Sequence, residues 1–293
     1  MGCQTRRILF DSDIALVSDF CCRHPLDRFG YKEESEGDNL LLVRSGVFGR
    51  VIGKRRELAD SAHVLFFTKG YSYRFFHPMG IGDTCTIITP TSEFLFETFG
   101  NTVRSQDPQR FSFHLPPMLV SPRAALLHGE LLATIRTSAP LLSVEETLTE
   151  LLVDMCHTAW GRTRPLAYND PPSRRHDLAE ETKILLNRRL ETRPTLSELA
   201  KALDCSRFYL SRVFAEECGI SIRRYLIRLR LQAAAQQISE GASDLTNIAL
   251  ALGFCDHSHL TKLFMREFGV PPSAFRVRAL SRTALGYKRA LKL

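Results

Sequence analysis

LSELAKALDCSRFYLSRVFAEECGISIRRY, residues 196–225, and LTNIALALGFCDHSHLTKLFMREFGVPPSAF, residues 245–275, are two statements of one pattern. Leu196, Leu199, Ala200 and Leu203 return as Leu245, Ile248, Ala249 and Leu252, at an offset of 49 (245 − 196). Leu210, Phe214, Gly219 and Tyr225 return as Leu260, Phe264, Gly269 and Phe275, at an offset of 50 (260 − 210). The one added residue falls midway, where a turn between two helices absorbs it. A self-similar stretch of this kind is one supersecondary unit used twice. Each copy opens with apolar residues at i, i+3, i+4 and i+7, the period of a helix face. Ala200 and Ala249 sit where a close helix crossing needs a small side chain. A turn follows, Asp204-Cys205 or Gly253-Phe254-Cys255, and then Ser206 or Asp256 as the cap of a second helix. This is helix–turn–helix grammar, in which the second helix enters the major groove of DNA. Its outward residues are Arg207, Phe208, Ser211 and Arg212 in the first copy. In the second they are His257, Ser258, Thr261 and Lys262. Arginine can fork onto guanine, hydroxyls donate or accept, and phenylalanine can meet a thymine methyl. One copy alone reads more readily as an amphipathic helix pair with a solvated face; two copies in phase do not.

The second copy, IALALGFCDHSHLTKLFMREFGVPPSAFR, resembles the signature of the AraC/XylS family of bacterial transcription regulators. The features that match are IA-x3-GF, a polar turn, a helix ending FxxxFG, and a PP-x2-F-R close. The resemblance covers roughly the last hundred residues. Leu260 departs from it, standing where the family often has Tyr or Phe. The resemblance implies that the eight residues above contact bases. It also implies promoter DNA and RNA polymerase as partners, and activation more often than repression. Many members carry a cupin-like barrel ahead of the DNA-binding part, sensing a small molecule, with nearby helices that dimerise.

Charge is divided along the 293 residues. Residues 171–293 hold 21 Lys/Arg against 12 Asp/Glu, about +9, and residues 1–170 hold 18 against 20, about −2. The half with the repeat is the basic half, the footprint of a phosphate-binding surface. No stretch is long and apolar enough to span a membrane. Asp11, Asp13 and Asp19 interrupt any signal-peptide core, and Arg6 stands where a myristoylation motif needs Ser or Thr. The 8 cysteines lack regular spacing, which reads as reduced thiols in a cytoplasmic protein.

The expected organisation is α+β with two domains. Residues 1–160 make a β-rich sensing or dimerisation domain. Its strands run from about 8 to 115, as an antiparallel barrel or two-sheet roll, because LLLVRSGVFGRV, HVLFFTKG, YSYRFFHP and TCTIITPT are short β-branched and aromatic runs between turn residues. Helices follow from about 121 to 160. Ser121 caps the first, Pro122 stands in its first turn, and Ser143-Val144-Glu145-Glu146 reads as a capping box opening the second. Residues 161–177 are a linker rich in Pro and Arg, exposed and open to proteases. Residues 178–280 are the all-helical DNA-binding domain, and 281–293 a tail. Ile184, Leu185 and Leu190 are expected to pack on the first unit. A helix over 221–239 joins the units and, at ~1.5 Å per residue, spans just under 30 Å, close to one turn of DNA at ~34 Å. Its Arg223, Arg224, Arg228 and Arg230 either follow the phosphates or lie in solvent.

Cys22, His24, His77, Asp83 and Cys85 contain the donor types that zinc or another borderline metal takes. Their spacing fits no standard zinc motif. The expectation is therefore a structural one, with buried thiols and a turn at Gly82-Asp83 and no metal or other cofactor. A thiol- or metal-sensing regulator acting through Cys22, His77 and Cys85 is the alternative. No nucleophile turn, phosphate loop or carboxylate pair suggests an enzyme, although a cupin-type enzyme fused to a DNA-binding domain is a further alternative.

Overall fold

The computed structural model describes residues 4–23, 30, 32–103, 113, 115–160, 173–242 and 244–276. Its strands are β1 (Gln4–Asp11), β2 (Ala15–Cys22), β3 (Lys32–Glu34), β4 (Asn39–Ser45), β5 (Phe48–Ile52), β6 (Arg55–Ala59), β7 (His63–Phe67), β8 (Ser72–Phe76), β9 (Asp83–Pro90) and β10 (Met118–Leu119). They form a six-stranded sheet in the order β1-β2-β9-β4-β7-β10 and a four-stranded sheet in the order β3-β8-β5-β6. The pairings are antiparallel. Among the described residues no pairing links the two sheets. The architecture is therefore a two-sheet roll, and the closed, cupin-like barrel expected from the sequence is not formed.

The central strands β4 and β7 of the six-stranded sheet are buried on both faces, which is why they read as continuous apolar runs. Along β4 and β7, Leu40, Leu42, Val64 and Phe66 belong to a core shared with helices. The alternate residues Leu41, Val43, Leu65 and Phe67 meet Phe48 and Phe75 of the second sheet. The chain then builds α1 (Ser92–Val103), α2 (Pro122–Arg136), α3 (Leu141–Trp160) and α4 (Arg174–Arg188). It closes with α5 (Leu196–Ala202), α6 (Arg207–Cys218), α7 (Ile222–Ser239), α8 (Leu245–Ala251) and α9 (His257–Phe268).

Several local expectations need correction. Helix α1 lies in a region read as mainly strands. Thr91 starts it by accepting from the Phe94 amide, and Leu95 and Phe99, four apart, are buried. Ser121 does cap α2, accepting from the Ala124 amide. Ser143 does not cap α3: the helix begins at Leu141, with the Pro140 carbonyl accepting from Ser143 and Val144, and Ser143 lies inside its first turn. The helix expected to resume at Leu178 starts earlier, because Ser173 caps α4 at Arg174. Residues 161–172 of the expected linker, and the tail 281–293, lie outside the described residues.

Helix α4 works as a two-faced spacer. Leu178, Ala179 and Leu186 join the core of the first helix–turn–helix unit, with Leu185 and Leu190 at its margin. Ile184 was expected there too, but it packs with Leu58 and Phe76 of the strands and Val47 of the β4–β5 turn. A buried Glu180 accepts from the Leu58 amide at 2.8 Å and pairs with Lys183 Nζ at 2.7 Å. Asn187 donates to Asp60, and Arg188 to the Pro78 carbonyl. The second unit is tied differently. Phe264, Phe268 and Phe275 share one continuous core with α2, α3 and the six-stranded sheet. No helix among the described residues is long and apolar enough to cross a membrane.

Candidate nucleic-acid interface

The two units repeat down to their backbone conformations. Asp204 (φ 47°) and Gly253 (φ 73°), related by the offset of 49, both open the turn in the left-handed region. Gly219 and Gly269, related by 50, end α6 and α9 in that same conformation (φ 72° and 73°). Ser206 caps α6 by accepting from Tyr209, and Asp256 caps α9 by accepting from His259. Thr195 and Glu198 form a reciprocal capping box on α5. The added residue of the second copy lies in the turn, as the offset change requires. Inside each unit an aromatic pair recurs: Phe214 meets Tyr225 at 5.3 Å and Phe264 meets Phe275 at 5.7 Å, centroid to centroid.

Fixing the inner faces leaves the outer faces of α6 and α9 free. Leu210, Val213 and Phe214 are buried on α6, and Leu260, Leu263 and Phe264 on α9. Arg207, Phe208, Ser211 and Arg212 are exposed, as are His257, Ser258 and Lys262, with Thr261 half-buried. Phe208 is 74% exposed, and the Arg207 guanidinium lies over its ring at 5.0 Å. Arg212 approaches the Tyr209 ring at 5.9 Å. Thr261 and His257 are within 3.4 Å of each other.

A groove of about 490 Å³ runs between the start of α7 and α9, lined by Arg223, Arg224, His259, Arg266 and Glu267 among others. Arg223, Arg224 and Arg266 are exposed cations there, while Glu267 is engaged by Arg228 at 3.1 Å. Arg228 also donates to the Val120 carbonyl, so it neither follows phosphates nor lies in solvent.

Arg230 departs further from both sequence readings. It is buried, and its guanidinium donates to Leu190 O at 2.9 Å, to Gly253 O at 3.0 Å and to Thr192 O. One side chain thereby ties the approach to the first unit to the turn of the second. Burial lowers its pKa first, with nearby Arg193 acting the same way. A Cβ on Gly253 would come within 2.7 Å of that guanidinium and 2.8 Å of the Glu191 carbonyl. Arg230→Met is expected to cost roughly 2–3 kcal/mol, since three carbonyls lose a charged donor. Urea unfolding is the check, and an unchanged midpoint would contradict the role.

The same repeat docks onto the β-rich half through its aromatic end residue. Tyr225, fully buried, donates to Asp60 Oδ2 at 2.6 Å in the β6–β7 turn. Phe275, its counterpart, packs on Gly129 of α2, where a Cβ would lie 2.8 Å from the ring. The Tyr-for-Phe difference between the copies was the sequence signal for the first contact, because a buried hydroxyl needs a partner.

Residues 199–278 match the family described as a helix-turn-helix domain. The chain is 25% identical over 158 residues to the Msm operon regulatory protein of Streptococcus mutans, covering 53% of this chain and 57% of that one. It is 32% identical over 93 residues to the HTH-type transcriptional regulator GbdR of Pseudomonas aeruginosa, covering 32% of this chain and 25% of that one. A solved structure of a transcriptional regulator from Chromobacterium violaceum, described as containing an AraC-type DNA-binding domain, is 24% identical. It covers 35% of this chain and 92% of its own, with a TM-score of 0.34. The chain spans between a quarter and just over half the length of these two curated relatives.

Proposed function

We propose that this chain, whose residues 199–278 belong to the AraC-type helix-turn-helix domains, is a sequence-specific transcriptional regulator that reads two successive major-groove segments of promoter DNA. The observation that carries the proposal is the pair of equivalently capped helices, α6 and α9, each with an exposed polar and basic face and with Arg230 joining their units. Helix α7, 18 residues long, measures about 27 Å at ~1.5 Å per residue. That length suits two readers one DNA turn apart. Arg207, Phe208, Ser211, Arg212, His257, Ser258, Thr261 and Lys262 are assigned to base edges. Arg223, Arg224 and Arg266 are assigned to the phosphates between them and supply most of the affinity.

In this reading the two-sheet roll occupies the place of the cupin-like sensing module. Its inter-sheet cavity of about 450 Å³, lined by Phe20, Phe48, Phe67, Tyr73 and Phe75 with Glu33 at a polar edge, is of a size that holds a small effector. The chain acts as a homodimer and recruits RNA polymerase. Leu141 and Leu142 at the start of α3, 59% and 66% exposed, are apolar surface that a second copy would cover; sedimentation of the purified protein tests this.

Footprinting on the region upstream of its own gene tests the central claim, with protection expected on two segments one turn apart. Arg212→Ala is expected to weaken specific binding by ~1–3 kcal/mol and relax one base position. If the variant keeps the parent's site preference in a randomised-site selection, Arg212 does not read a base. Binding that random DNA competes away as well as the site does would point instead to a packaging protein.

A further inference from the structure

We propose that Cys22, His77 and Asp83 form a binding site for a borderline divalent metal ion of the zinc class, with the Cys85 thiol beside it as a hydrogen-bond donor to Asp83. The three residues come from both sheets. Cys22 ends β2 and Asp83 begins β9, directly paired across the ladder. His77 follows β8 of the opposite sheet. A sulfur, a ring nitrogen and a carboxylate oxygen of the three lie within 4.8 Å of one another, and all three residues are buried. That spread is somewhat wider than the edge of a tetrahedral zinc site, whose ligands sit ~2.0–2.3 Å from the ion, so rotamer-scale shifts would close it. His24, considered with them from sequence, lies outside the described residues.

The local contacts gather the donor groups around Asp83. His77 Nε2 is 2.5 Å from Asp83 Oδ1, and Cys85 Sγ is 2.6 Å from Asp83 Oδ2. His77 Nδ1 is buried with no hydrogen-bond partner. An orphaned buried polar atom costs roughly 1–3 kcal/mol, which a core imidazole would be expected to avoid. The rings of Phe48 and Phe75 stand edge-on to His77 and fix its plane. One thiolate and one carboxylate would balance the charge of a dication, and the metal would displace the thiol proton on binding. Sulfur and imidazole donors favour zinc over magnesium or calcium.

Cys22 and His77 also line the inter-sheet cavity. Three protein ligands with the remaining position facing a cavity is the arrangement of an open metal site. The ion would join the two sheets at one end of the roll and offer a coordination position to a small donor ligand inside it. This inference does not depend on the DNA-binding reading, and its test contains no DNA.

The experiment uses the full-length protein, kept reduced, stripped with a chelator and titrated with Co²⁺. The expected result is one tight equivalent per chain with a thiolate-to-cobalt charge-transfer band that Zn²⁺ bleaches. Cys22→Ser abolishes the band, and Asp83→Asn weakens binding by more than ~10-fold. Cys255→Ser, which removes an exposed thiol, leaves the titration unchanged. Zn²⁺ also raises the melting temperature of the stripped parent protein. A parent protein that shows no such band overturns the proposal, whether or not the variants fold. A band that survives Cys22→Ser, or disappears with Cys255→Ser, also overturns it. If Cys22→Ser does not fold, a His77→Gln protein that binds Co²⁺ as tightly as its parent overturns the proposal.

Discussion

Asp60→Ala is expected to lower the stability of the chain by roughly 3–5 kcal/mol, the range seen when one partner of a buried charged network is removed. The Asp60 carboxylate accepts from the Ala62 amide at 3.1 Å, His63 Nδ1 at 2.8 Å, Asn187 Nδ2 at 2.8 Å and the Tyr225 hydroxyl at 2.6 Å. Two of these donors, Ala62 in the β6–β7 turn and His63 at the start of β7, belong to the β-rich half, and two to α4 and α7. The substitution therefore removes the acceptor of donors in both halves at once, three of them buried. Urea unfolding followed through Trp160, the only tryptophan of the chain, measures the loss. Tyr225→Phe, which removes one hydroxyl, is expected to cost only about 1 kcal/mol. Equal effects of the two changes would show that the carboxylate is not the hub.

The same group sets a pH dependence. Burial alone would raise the Asp60 pKa. The charge of His63, with hydrogen bonds from His63, Tyr225 and Asn187, overcomes it and holds the carboxyl well below its ordinary 3.8. The folded state has the lower pKa, so the stabilisation is complete above the unfolded value. It is lost as pH falls from about 4 towards the folded one. Between about pH 5 and pH 2 the parent protein should lose more stability than Asp60→Asn, which cannot titrate there.

Gly82→Ala is expected to destabilise the β-rich half by at least about 3 kcal/mol, the upper part of the range for overpacking. A Cβ at this position would fall 1.5 Å from the Cys22 carbonyl oxygen and 2.9 Å from Arg23 Cα. Both are backbone atoms, so no rotamer change relieves the overlap, and β2 must leave the turn before β9. Gly46, at φ +80°, seals the other side, its own Cβ position lying 2.5 Å from the Gly82 carbonyl. The expected signs are a lower urea midpoint and, where folding survives, impaired Co²⁺ binding, because Cys22 and Asp83 would no longer face each other. A Gly82→Ala protein as stable as its parent would show that the 77–85 turn is not seated as described.

The helix–turn–helix units were legible because repetition supplies its own control: each inner-face residue of one copy predicts another 49 or 50 positions on. Their caps and exposed faces follow from local chemistry, which a sequence displays. Arg230 was not legible in this way. Nothing within α7 distinguishes it from Arg223 or Arg224, and its three carbonyl partners are 23 to 40 residues distant. Helix α1 was missed because Phe94, Leu95, Phe96 and Phe99 also suit strands, and only the Thr91 cap argues otherwise. The roll was read as a possible barrel because strand spacing reports the number of strands and not whether their edges meet. The cluster at Cys22 was visible only as a set of donor types, since antiparallel register and sheet stacking brought it together.

The second helix–turn–helix unit buries Phe264, Phe268 and Phe275 in a core that continues through α2 and α3 into the six-stranded sheet. Cutting the chain ahead of α4 would therefore not release a finished module. The fragment would carry the severed half of an oily seam along the buried side of α9. It should self-associate or cling to hydrophobic resins where the intact chain stays dispersed. Work on the helical half alone would then call for polar replacements along that seam, chosen to leave the exposed faces of α6 and α9 untouched.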